Sequence, residues 1–128
     1  MDNTEIKILV TQEPLKPFGP APDGCGAVVE FSGIVRGEEE GRPISALEYQ
    51  AYQPMAGREI ARLIRELLAE FPCASVRVAH RTGVIPVGAS AIILQIASRH
   101  RGAAFSFSTA FMDRLKQEVP IWKIKGIS

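Results

Sequence analysis

Residues Ala89–Ala97 (ASAIILQIA) are nearly all apolar. A run of that length and character reads as a strand at the centre of a sheet, covered on both faces. A basic triplet follows at once, Arg99, His100 and Arg101, and then a helical pattern over roughly Gly102–Val119. In that pattern Ala104, Phe107, Phe111 and Leu115 form one buried stripe, widened by Ala103, Ala110 and Met112, and Pro120 stops it. A second helix, Pro54–Phe71, sets Ile60, Leu63, Ile64, Leu67, Leu68 and Phe71 on one side. Its Arg58, Glu59, Arg62, Arg65, Glu66 and Glu70 are expected to face water, with Pro54 in the first turn and Pro72 as the stop.

The other segments alternate with the period of strands: Glu5–Thr11, Gly26–Arg36, Ile44–Tyr52 and Ser75–Val84. Gly33 marks a bulge or a close backbone approach within its strand. Pro14, Pro17, Pro20 and Pro22 predict a long irregular connection between the first two strands. The loop Gly37–Pro43 (GEEEGRP) is predicted to be exposed, joining Gly26–Arg36 and Ile44–Tyr52 as an antiparallel pair. The order βββαββα predicts an α+β sandwich, an antiparallel sheet with its helices on one side, as a single domain over residues 1–128.

Composition narrows the function classes. A net charge of +1 over 128 residues argues against a nucleic-acid binder that relies on bulk charge. There is no apolar run near the roughly 20 residues of a membrane span, and MDNTEIKILVTQEP lacks the pattern of a signal peptide. Two cysteines, Cys25 and Cys73, fit a reducing compartment, so a cytoplasmic protein is expected. They are not at metal-ligand spacing with His80 or His100, and no metal or cofactor is predicted.

The chemistry lies with cations at element ends. Arg36 closes a strand; Arg99, His100 and Arg101 stand between another strand and a helix N-terminus, which itself favours anions. Lys116 sits at the margin of the second helix's apolar stripe, within reach of a cleft or of Asp113 three residues earlier. Lys123 follows Trp122, which is read as anchoring the C-terminal segment to the core. Glu38, Glu39 and Glu40 are expected to be a solvated run. No Ser–His–Asp order, G-x-x-x-x-G-K-[ST] or G-x-G-x-x-G occurs. Arginines suited to forked contacts and lysines acting as point charges describe an anion pocket. A cationic, carboxylate-poor site favours transfer chemistry in which a developing oxyanion or thiolate is stabilised.

Five segments in order carry a resemblance: FSGIVR (Phe31–Arg36), LEYQAYQPMA (Leu47–Ala56), AHRTG (Ala79–Gly83), SRHRGAAF (Ser98–Phe105) and MDRLKQEVPIWK (Met112–Lys123). Together they resemble the catalytic, large subunit of molybdopterin synthase, the MoaE family. The resemblance implies an α/β hammerhead-like fold with a small additional β-subdomain. It implies a sulfurtransferase of molybdenum cofactor biosynthesis that inserts two sulfurs into cyclic pyranopterin monophosphate (precursor Z), forming the dithiolene of molybdopterin. The implied partner is a small ubiquitin-like sulfur carrier with a C-terminal Gly-Gly thiocarboxylate, bound to a homodimer within a heterotetramer. Implied catalytic residues are Lys116 and Lys123. Implied substrate contacts are Ile34, Val35, Arg36, His100, Arg101, Lys116, Lys123, Ile124 and Lys125, with His100 and Arg101 reaching the site from the neighbouring subunit. The chain departs from the family pattern at Arg99, commonly alanine, and at Ile124 and Lys125, usually a basic residue and then Glu; it also ends at Ser128, short of the usual tail. A non-catalytic member that keeps the fold and the partner groove is the alternative.

Overall fold

The computed structural model describes residues 4–128. The chain forms β1 (Glu5–Thr11), β2 (Ala27–Ile34), β3 (Glu38–Glu39), β4 (Arg42–Pro43), β5 (Ala46–Ala51) and α1 (Met55–Glu70). It continues through β6 (Ser75–Arg81), β7 (Gly83–Pro86), β8 (Ser90–Ser98), α2 (Arg101–Glu118) and β9 (Ile121–Ile127). The α+β class expected from the sequence holds, and no helix of the described residues is long and apolar enough to cross a membrane.

The larger sheet has the order β1-β6-β8-β2, with the apolar β8 in its interior. Val76, Val78, Leu94 and Ile96 on one face of this sheet pack against Ile60, Leu63 and Ile64 of α1 and against Phe107 and Phe111 of α2. All of these are fully buried, and each large side chain removed from water contributes about 1.5–3 kcal/mol. The helices gather on this one face. On the other, Arg77 of β6 is buried at 8% exposure and fans out to Glu5 Oε1, Gln95 Oε1 and the carbonyls of Gly19 and Pro20. The proline-rich connection is thereby pinned across the polar face of the sheet.

Four expectations are corrected. β1 runs parallel to β6, so the larger sheet is mixed, although its other pairs are antiparallel. Gly26–Arg36 and Ile44–Tyr52 do not pair: β2 joins β8, and β5 is the middle strand of a second sheet of order β7-β5-β9. The acidic loop between them contains the small hairpin β3–β4, turning at Glu40 and Gly41, both at positive φ as a primed turn requires. Ser75–Val84 is not one strand either. Gly83, at φ +78, breaks the run and sends the chain from the first sheet into the second.

The C-terminal segment is the strand β9, paired with β5, where no strand was expected. The charged side of α1 is also more than a solvated face. Arg62 reaches Glu118 of α2 at 3.1 Å, and Arg114 of α2 reaches Glu66 of α1 at 2.6 Å. These cross-links lock the two helices side by side above their shared core.

Candidate active site

A cleft of about 450 Å³ opens along the seam between the two sheets and the C-terminal end of α2. Its walls come from seven elements, β2, β3, β5, β6, β8, α2 and β9, and the key side chains are placed by local backbone features.

At the end of β2 the register shifts between Gly33 and Ile34. Gly33 is required there, because a Cβ would come within 2.8 Å of Ile92 Cγ2. Val35 is 3% exposed and joins Leu47, Ile85 and Ala91 in a second small core. Its backbone is held both ways, Val35 N–H donating to the Ala89 carbonyl and its own carbonyl accepting from Gly88 N–H. The anchored backbone delivers the exposed Arg36 to the rim of the cleft, beside Ile34.

Lys116 lies in the last turn of α2, one residue past the buried Leu115, and lines the cleft from above. The negative end of the helix dipole favours a cation there. No salt bridge to Asp113 forms, and Lys116 stands without a carboxylate partner among the described residues. Lys123 reaches the same cleft from β9. Opposite Lys123 lies Tyr49, and opposite Lys125 lies Glu48, so Ile124 is the extra residue of a bulge. Since Glu48 and Tyr49 are adjacent on β5, they and their partners point to opposite faces. Lys123 therefore enters the cleft, whereas Ile124 and Lys125 are absent from its lining. Trp122 lines the cleft and is 47% exposed, so it does not act as the buried anchor expected of it.

The acidic run is not simply solvated. Glu38 and Glu39 line the cleft, and Glu39 accepts from Lys123 Nζ at 3.2 Å. A pair this exposed contributes at most about 1 kcal/mol to stability, but it fixes where the ammonium sits. Tyr49 and His80 complete the floor, with ring centroids 5.5 Å apart in an edge-to-face arrangement. Burial pushes the Tyr49 phenol above its ordinary range, with Lys123 opposing and Glu39 reinforcing the shift. Burial also lowers the His80 imidazole, against the opposite pull of its bond to the Arg81 carbonyl. Sequence reading did not single out Tyr49, Glu39 or His80 for the site. The period-2 row Val76, Val78, His80 was the available signal for the histidine.

His100 and Arg101 stand elsewhere. They are exposed at the start of α2, His100 in the N-cap position, outside the cleft lining. Fifteen residues of helix separate Arg101 from Lys116, roughly 22 Å at 1.5 Å per residue. One chain thus brings together Ile34, Val35, Arg36, Lys116 and Lys123 and holds His100 and Arg101 apart from them. Among the described residues no group of His, Cys, Asp and Glu is arranged to hold a metal ion.

Residues 4–118 match the family described as MoaE protein. The human molybdopterin synthase catalytic subunit is 38% identical over 99 residues, 77% of this chain and 53% of the relative. The molybdopterin synthase catalytic subunit of Thermoplasma volcanium is 34% identical, covering 96% of this chain and 91% of the relative. The crystal structure of molybdopterin synthase from Staphylococcus aureus superposes with a TM-score of 0.80 at 33% identity, covering 96% of this chain and 90% of that one. The chain spans about half the length of the mammalian relatives it matches.

Proposed function

The chain belongs to the MoaE protein family, and we propose that residues 1–128 act as one domain, the catalytic subunit of a molybdopterin synthase. In this reading it is a cytoplasmic sulfurtransferase. It passes sulfur from the C-terminal thiocarboxylate of a small ubiquitin-like carrier to cyclic pyranopterin monophosphate. The observation that carries the reading is the convergence of Arg36, Lys116 and Lys123, from three separate elements, on one cleft.

The roles follow from charge and position. Arg36 orients the substrate at the rim through a guanidinium suited to phosphate. Lys116, without a carboxylate partner, acts on the carrier's acyl group or on the attacked pterin carbon and stabilises the charge that develops as sulfur moves. Lys123, held by Glu39, is the positioned second cation. His100 and Arg101 bind the substrate phosphate in the site of a neighbouring subunit. The roughly 22 Å between them and Lys116 on one helix supports a homodimer, which with two carriers makes a heterotetramer. Ile124 and Lys125 lie outside this cleft's lining, Lys125 on the other face of β9 from Lys123, so the substrate contacts implied for them are not assigned to this cleft.

The test is sulfur transfer by the whole chain, mixed with a thiocarboxylated carrier and precursor Z. Dithiolene product that is lost in Lys116→Ala supports the enzyme. Tight carrier binding with no product from the unmodified chain would instead identify a non-catalytic member. Mixed dimers of Arg101→Ala and Lys116→Ala chains test the shared site. Activity recovered on mixing two inactive variants supports it, and no recovery overturns the placement of Arg101 in the partner's site.

A further inference from the structure

His80 has no part in the roles above, yet its surroundings are those of a ligand contact. It ends the helix-facing row of β6, opposite Val10 on β1 and Ile92 on β8, and is only 6% exposed. Nδ1 lies 2.8 Å from the Arg81 carbonyl. A carbonyl oxygen only accepts, so Nδ1 carries the proton and Nε2 is left as a bare acceptor. No described residue bonds to Nε2. Yet no buried side-chain nitrogen or oxygen of the described residues is left unpaired, so Nε2 cannot be sealed inside the protein. The opening that His80 meets is the cleft.

The other polar groups give this acceptor its meaning. Arg36, Lys116 and Lys123 are donors suited to anionic parts of a ligand. Glu39 is taken up by Lys123, and Glu38 is exposed. An uncharged acceptor set deep in the wall, steadied by the Tyr49 ring, selects instead for an N–H or O–H group on a flat, uncharged part of the ligand. Leaving such an acceptor unmatched in the complex is costly, so it discriminates between ligands as well as binding them.

We propose that His80 is a further substrate-binding residue of the cleft, its Nε2 accepting a hydrogen bond from a ring N–H or hydroxyl of the bound heterocycle. This rests on the proposed function in taking the heterocycle to be the pterin, whose ring nitrogens and hydroxyls include such donors. His80 here positions substrate and transfers no proton.

The experiment uses the full chain with ¹⁵N-labelled histidine, which has two imidazoles, His80 and His100. In the free protein, His80 should show the Nδ1-protonated neutral tautomer. Adding precursor Z should move the Nε2 resonance and leave Nδ1 nearly still. His80→Phe, which keeps a ring against Tyr49, should weaken precursor Z binding about tenfold, the worth of one hydrogen bond. It should raise KM more than it lowers kcat. His80→Gln, which retains an acceptor near the Nε2 position, should recover most of that loss. An unmoved Nε2 signal at saturating precursor Z overturns the proposal even if a variant fails to fold, and so does unchanged affinity in a folded His80→Phe. A shifted Nε2 signal without sulfur transfer leaves His80 in place and overturns the proposed function instead. No binding of precursor Z by the unmodified chain overturns both.

Discussion

Two polar regions lie in and around the larger sheet, and they are built on opposite principles. Around Arg77, on the face away from the helices, every arm of the guanidinium has a partner: Glu5, Gln95 and the carbonyls of Gly19 and Pro20. In the cleft at the sheet's end, Lys116 lacks a carboxylate and His80 Nε2 lacks a donor among the described residues. Matched polar groups hold a fold together, since each unmade bond would cost about 1–3 kcal/mol. Groups left unmatched at an opening remain free to bond to water or to a ligand. The difference teaches that polar groups which satisfy one another serve the fold, whereas the candidate site is marked by cations converging on an opening with Lys116 and His80 Nε2 left unmatched there.

The contrast predicts that variants in the two regions fail in different assays. The largest effect is expected for Lys116→Ala: sulfur transfer falls about 100- to 1,000-fold, as for the loss of a charge-stabilising donor, with the thermal midpoint unmoved. A melting temperature that falls along with activity would make Lys116 structural. Arg77→Leu should do the reverse. It strands the Gln95 and loop acceptors and costs about 2–3 kcal/mol in urea unfolding, while the folded fraction keeps its activity. Loss of transfer at full foldedness would break the distinction between the regions.

Acid should act on the matched groups. Hydrogen bonds from Arg114 and then Arg62 hold the Glu118 carboxyl down to about 2, and Arg77 followed by Ser75 lowers Glu5. Carboxyls lowered in the fold stabilise it fully above their unfolded value near 4.5 and lose that contribution as pH falls through the folded value. Stability should therefore decline between about pH 4.5 and pH 2, and Glu118→Gln should flatten that decline. An identical pH profile in the variant would remove Glu118 as a cause. The smallest effect is expected for Glu39→Gln, which frees Lys123 at a cost below about 1 kcal/mol and changes transfer a few-fold. A loss as large as that of Lys116→Ala would show Glu39 to be a working part of the cleft.

The two helices were legible because each carries an apolar stripe at helical period ended by proline, and stripes such as Ile60–Leu63–Ile64–Leu67 are what their burial selects. The interior strand β8 was legible for the same reason. β9 was not: five of its seven residues are exposed, so no alternation marks it, and it exists through its pairing with β5. The pairing of β2 with β8 was hidden because it joins segments some sixty residues apart, where a neighbouring segment was the simpler partner.

By itself the sequence determined the fold class, the family resemblance and the identity of the cations Arg36, Lys116 and Lys123, because these depend on residue type and local period. Only the tertiary structure decided which groups meet. The bulge at Ile124 turns Lys123 into the cleft, Glu39 of the acidic hairpin meets that lysine, and α2 sets Arg101 and Lys116 at opposite ends of one rod. The exposure of His80 Nε2 was likewise decided there, for a vacant hydrogen-bond position is a property of everything packed around an atom and not of the residue that carries it.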